Sequence, residues 1–130
     1  MRSYPITDRI LNKICGLTNP LLGKYRQSRL TNTDFTIISN NCWAGICYEY
    51  YGLPKLSPTV GLYFYADEYI KFLNHLERYL SMNLQFIDIK DSKYSKELIS
   101  KKQTHVPIGL LDDVEIVFLH YRDVIIAKEK

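Results

Sequence analysis

The stretch DFTIISNNCWAGICYEYYG, residues 34–52, decides how the chain is read. Phe35-Thr36-Ile37-Ile38 is a nearly continuous apolar run, the pattern of a strand buried on both faces of a sheet. The run stops at Ser39, and Asn40 and Asn41 follow. From about Cys42 to Tyr51 the pattern is helical. Gly52 stands where a helix C-cap belongs, with Pro54 two residues beyond. Strand Asp34–Ser39, an asparagine turn and a helix in direct succession form the start of an α/β unit.

The pattern continues outward from there. Upstream, Ile6, Ile10, Leu11, Ile14 and Leu17 recur at helical spacing, and a short basic helix is expected from about Leu21 to Leu30. Downstream, Lys55–Thr59 is an extended loop next to Pro54 and containing Pro58, and Val60–Tyr65 suits a short strand. Asp67 opens the most regular helix, with Tyr69, Ile70, Leu73, Leu76, Tyr79 and Leu80 on its expected apolar face and His75 toward the polar side. Leu84–Ile89 reads as a strand. Asp91–Thr104 is polar and lysine-rich, a short helix or a loop. Val106-Pro107-Ile108-Gly109 is a turn or the beginning of a strand. Val114–Leu119 is a second buried strand, ending at His120-Tyr121, and Arg122–Lys130 begins a helix.

Strands alternating with helices predict an α/β protein with a mainly parallel or mixed sheet and flanking helices, in a single domain. The expected division is an N-terminal helical segment, residues 1–30, and an α/β domain, residues 31–130. The chain's 130 residues suffice for one core. A net charge of +3 with scattered lysines and arginines lacks the dense basic stripe of a nucleic-acid binder. The three cysteines have neither a disulfide nor a metal-ligand spacing, which favours a reducing, cytoplasmic compartment. The N-terminus does not open on the apolar core of a signal peptide, and no apolar run is long enough for a membrane span.

In open α/β sheets, ligands bind beyond the carboxyl ends of the strands. Two groups qualify: Ser39-Asn40-Asn41-Cys42 after the first buried strand, and His120-Tyr121 after the last. If these strands run parallel, both groups share one sheet edge. Asn40 or Asn41 suits the helix N-cap. The second asparagine is left for a left-handed backbone position or a ligand. Cys42 in the first turn of a helix has two readings: a reactive thiol paired with His120, or a small buried residue. Trp43 packs, or stacks on a sugar or a base. Ser57 and Thr59 place two hydroxyls on a stiff loop, as pocket lining or as turn chemistry. Asp112 and Asp113 read as surface turn carboxylates, and no metal site is expected. The phosphate-binding, dinucleotide-binding and hydrolase motifs with fixed spacing are missing. The residues name no cofactor.

DFTIISNNCWAG (34–45), YGLPKLSPTVGLYF (51–64), YIKFLNHLERYL (69–80) and PIGLLDDVEIVFLHY (107–121) resemble, in this order, the DUF1919 family. The resemblance covers about residues 30–122. Ala44-Gly45 stands where the family often has Gly-Gly. Members of the family are often described as exopolysaccharide biosynthesis proteins and sometimes as acetyltransferases. They look longer, continuing past FLHY into a charged helix and further α/β structure, so this chain reads as a truncated member or as a fragment of one. The resemblance implies a bacterial role in cell-surface polysaccharide, with transfer of a sugar or acyl group. The partners would be an activated sugar or acyl donor and a glycan acceptor, and exposed apolar sheet would favour a homodimer. His120 would be the general base, because histidine titrates near neutrality. Asn40, Asn41, Cys42, Trp43, Ser57, Thr59 and Tyr121 would contact substrate. The competing expectation is a non-catalytic module that binds a glycan or a partner protein.

Overall fold

The computed structural model describes residues 22–129. The expected helix Ile6–Leu17 and Cys15 lie outside the described residues. The chain divides into two units: Met1–Ile38 with Trp43–Pro58, and Ser39–Cys42 with Thr59–Lys130.

In the first unit, residues 22–27 are helical (α1) and α2 spans Trp43–Tyr51. The two helices meet at glycines: a side chain added at Gly23 would place its Cβ 3.1 Å from the Gly52 Cα. Residues 32–39 carry no regular structure, so the expected strand Asp34–Ser39 does not form. The apolar run has no neighbouring strand. Side chains satisfy its backbone instead, as buried amide groups require. The Ile37 N–H donates to the Tyr48 hydroxyl at 2.9 Å, and the Ser57 hydroxyl donates to the Ile37 carbonyl at 2.6 Å. Tyr48 is buried, and its ring stacks on Phe35 at 6.4 Å. Tyr48 on α2 and Ser57 in the loop beyond it thus do for Ile37 what a paired strand would have done.

The second unit holds the sheet. Strands β1 (Gln85–Ile87), β2 (Ile108–Leu111) and β3 (Val114–Val117) lie in that order. Both pairings are antiparallel, which corrects the expectation of a mainly parallel or mixed sheet. The cause is local. Asp112 and Asp113 alone separate β2 from β3, and Leu111 pairs with Val114. A connection that short can only reverse the chain, whereas parallel neighbours need a long crossover. Asp112 takes φ of +54°, a left-handed conformation that aspartate tolerates better than most residues. The expected strand at Val60–Tyr65 shrinks to one antiparallel bridge, Tyr63 to Val117.

All four residues of β3 are buried, as the apolar run predicted. One cluster joins Tyr65, Leu98, Val106, Ile108 and Val117. The helix expected from Asp67 forms as α3 (Ala66–Asn74) and α4 (Leu76–Leu80), broken at His75. Its buried side departs in part from the expected one: Tyr79 faces inward as expected, but Glu68 and Phe72 join it, while Ile70, Leu73 and Leu80 are exposed. Two contacts select that face. Phe72 lies 5.1 Å from Phe64 and 6.0 Å from Tyr79, ring to ring. Glu68 meanwhile pairs the open edge of β3. Beyond the Tyr63 bridge, the Glu115 N–H donates to Glu68 Oε2 at 2.8 Å, so a carboxylate replaces a strand carbonyl. Lys93 Nζ, 3.0 Å from Glu68 Oε1, balances the buried charge. Helix α5 (Ser95–Ser100) falls in the lysine-rich segment, and α6 (Val124–Lys128) closes the described chain, capped by the Asp123 carboxylate on the Ile126 N–H.

Candidate functional site

His120 Nε2 lies 2.7 Å from Cys42 Sγ, and both residues belong to the second unit. The parallel sheet edge that was expected to join them does not exist. A relay of backbone contacts does the work. The Phe64 N–H donates to the Asn40 carbonyl at 2.9 Å, which fixes the segment carrying Cys42. Next to Phe64, Tyr63 bridges Val117: the Tyr63 N–H donates to the Val117 carbonyl at 2.9 Å, and the Val117 N–H donates to the Tyr63 carbonyl at 2.8 Å. His120 follows three residues after Val117, in a turn closed by the Tyr121 N–H on the Phe118 carbonyl at 3.1 Å. The order Asn40–Phe64, Tyr63–Val117 therefore carries residue 42 to residue 120.

Neighbouring groups hold this arrangement. The Ser39 N–H donates to Thr59 Oγ1 at 3.1 Å, and the Ser39 hydroxyl donates to the Asn41 carbonyl at 2.8 Å. The Tyr121 ring packs edge-on against Phe118 at 5.4 Å. Burial raises the Tyr121 hydroxyl above its usual value. Gly61 takes φ of +79° beneath it; a Cβ there would lie 3.6 Å from the Tyr121 hydroxyl. That is an ordinary contact distance, so the positive φ rather than a lack of room suits glycine to this position.

The expected site residues divide as follows. Cys42 is half-buried and His120 exposed, and the fold brings them together. Asn40 is half-buried and Asn41 exposed on the same short segment, and Tyr121 follows His120. Thr59 is buried and holds the Ser39 backbone. Ser57 and Trp43 belong to the first unit, where Ser57 holds Ile37 and Trp43 is 60% exposed. Sequence reasoning overlooked Tyr63 and Phe64, which position the pair. No spacing signals them, because the contact they create spans 78 residues.

A thiol and an imidazole at this separation are within reach for proton transfer, the geometry of an activated nucleophile and its base. Among the described residues no carboxylate bonds the other ring nitrogen of His120, so the arrangement is a dyad. Among those residues, too, no three histidine, cysteine or acidic side chains cluster as metal ligands, and no helix is long and apolar enough to cross a membrane.

Comparison with known proteins agrees with the sequence resemblance. A protein of Haemophilus influenzae described only as an uncharacterized protein is 32% identical over 104 residues, which are 80% of this chain and 44% of that protein. The chain thus spans less than half the length of the relative it matches. The model of the family described as "Domain of unknown function (DUF1919)" matches residues 16–130, a span that holds Cys42, His120 and the relay between them. The chain belongs to the DUF1919 family.

Proposed function

We propose that this protein acts in building cell-surface polysaccharide, moving a sugar or acyl group from an activated donor to a glycan hydroxyl. The carrying observation is the 2.7 Å approach of His120 Nε2 to Cys42 Sγ. It supports His120 as the group that handles the proton, since a base must lie within hydrogen-bond reach of the atom it deprotonates. Asn40 and Asn41, on the segment that carries Cys42, are the donors and acceptors for substrate hydroxyls. The pathway rests on family resemblance. The expected homodimer has its support in the exposed Ile70, Leu73 and Leu80 of α3 and α4.

The test is complementation of a deletion strain with variant genes, scored by surface polysaccharide. His120→Ala is expected to cut transfer by about a hundredfold to ten-thousandfold, the usual worth of a general base. Full polysaccharide from both His120→Ala and Asn41→Ala would sink this site. The second reading, a non-catalytic glycan-binding module, has its own support in the first unit. Trp43 is 60% exposed, and the Arg26 guanidinium lies 3.9 Å over the Tyr50 ring, a platform of the kind sugars stack on. Trp43→Ala abolishing glycan binding while His120→Ala changes nothing would favour the module.

A further inference from the structure

We infer that Cys42 is a covalent nucleophile, so the transferred group is an acyl group carried as a thioester on its sulfur. This rests on the reading of the site as a group-transfer centre and narrows it to one chemistry. A base acting only on an acceptor hydroxyl has no need of a sulfur beside it. Here Nε2 is directed at Sγ at 2.7 Å, nucleophile against base. Sulfur also separates the two donors. A thiolate attacking an acyl carbonyl gives a thioester that an alcohol readily cleaves. A thiolate attacking an anomeric carbon gives a thioglycoside, whose sulfur is a poor leaving group. Cys47, also half-buried, has no histidine against it among the described residues, so the pairing singles out Cys42.

The steps balance with one donor and one acceptor. His120 Nε2 takes the Cys42 proton as sulfur attacks the donor carbonyl. The carbon–sulfur bond forms, the bond from that carbon to the leaving group breaks, and the imidazolium returns its proton to the leaving group. The acceptor hydroxyl then occupies the vacated place. His120 takes its proton, the oxygen attacks the thioester, the carbon–oxygen bond forms and the carbon–sulfur bond breaks. The thiolate recovers the proton from His120. No oxidant, reductant or metal enters either half. The half-buried sulfur favours survival of the thioester between halves, and the exposed histidine leaves room for both substrates to approach.

The experiment uses the full chain and p-nitrophenyl acetate, a small activated ester that requires no donor recognition. Release of p-nitrophenolate is followed together with intact mass and peptide mapping. The expected result is a burst equal to one acetyl group per chain, located on Cys42. Cys42→Ser and Cys42→Ala lose that adduct, and Cys47→Ala keeps it. His120→Ala acylates Cys42 about a hundredfold more slowly or worse. Far-UV circular dichroism checks that each variant is folded, and the near-isosteric Cys42→Ser guards against a packing artefact. Acetylation confined to lysines, or a Cys42 adduct formed equally fast in His120→Ala, would overturn the inference. The polysaccharide assay separates the two ideas. Loss with His120→Ala but not with Cys42→Ala or Cys42→Ser keeps the transferase reading and overturns the thioester. A Cys42 adduct in the wild type, with polysaccharide unchanged in every variant, upholds the thioester and defeats the pathway reading.

Discussion

Asp113 stands at the turn between β2 and β3 and takes a partner from each of two helices. The Tyr79 hydroxyl donates to its Oδ1 at 2.7 Å, and Lys71 Nζ lies 3.1 Å from Oδ2. The Tyr79 hydrogen bond, followed by the Lys71 one, lowers the carboxyl below its ordinary value of 3.8. A depressed folded value means the folded state favours the carboxylate. The stability it contributes is therefore complete above the ordinary value and is lost as pH falls through the lowered folded one. Urea midpoints measured from neutral pH down into the acid range should show the wild type above Asp113→Asn at neutrality, with the two converging below about pH 4. Parallel curves across that range would exclude Asp113 as the titrating group. At this scale the sequence identified residue types well. Asp112 and Asp113 were legible as turn carboxylates, and Cys42 and His120 as chemically able. Glu68 was not legible as a buried residue, because its burial depends on an unpaired N–H of β3 that no local pattern announces.

Elements end more legibly than they pair. Helix α2 closes with the Gly52 N–H on the Glu49 carbonyl at 3.2 Å and the Leu53 N–H on the Tyr48 carbonyl at 2.9 Å. Helix α5 closes the same way, the Lys102 N–H reaching Ile99 at 3.0 Å and the Gln103 N–H reaching Leu98 at 2.9 Å. Both are Schellman ends, with Gly52 at φ of +61° and Lys102 at +57°. The glycine adopts that conformation without a Cβ clash; the lysine does not. Lys102→Gly should raise unfolding stability by about 0.5–1 kcal/mol, and Gly52→Ala should lower it by at least about 1 kcal/mol. Thermal or urea denaturation measures both. A neutral or destabilising Lys102→Gly would contradict the cap assignment. Gly52 was readable as a helix stop from sequence alone. Lys102 was not, since nothing about a lysine marks a left-handed position. The apolar run at Phe35–Ile38 misled for a related reason. Its composition suits a strand, but a strand also needs a neighbour, and the hydroxyls of Tyr48 and Ser57 occupy the Ile37 backbone instead.

Across the whole molecule, protection from solvent should follow the sheet. β3 is buried throughout, paired by β2 on one side and by Tyr63 and Glu68 on the other. Hydrogen exchange should therefore be slowest at amides within 108–118, and fast within 32–36, where no ladder forms. Ile37 and Ser39, whose N–H groups are held by Tyr48 and Thr59, should be slower than their neighbours. Equal exchange at residues 35 and 116 would contradict the sheet assignment. The sequence by itself determined the mixture of helix and strand, the burial of β3, the end of α2 and the residue types able to do chemistry. All of these follow from periodicity, apolar runs and backbone preference within a few residues. The tertiary structure alone decided which face of α3 and α4 is buried and the meeting of Cys42 with His120. Both depend on which distant groups find one another: Glu68 with the Glu115 N–H for the helix face, Asn40 with Phe64 and Tyr63 with Val117 for the pair.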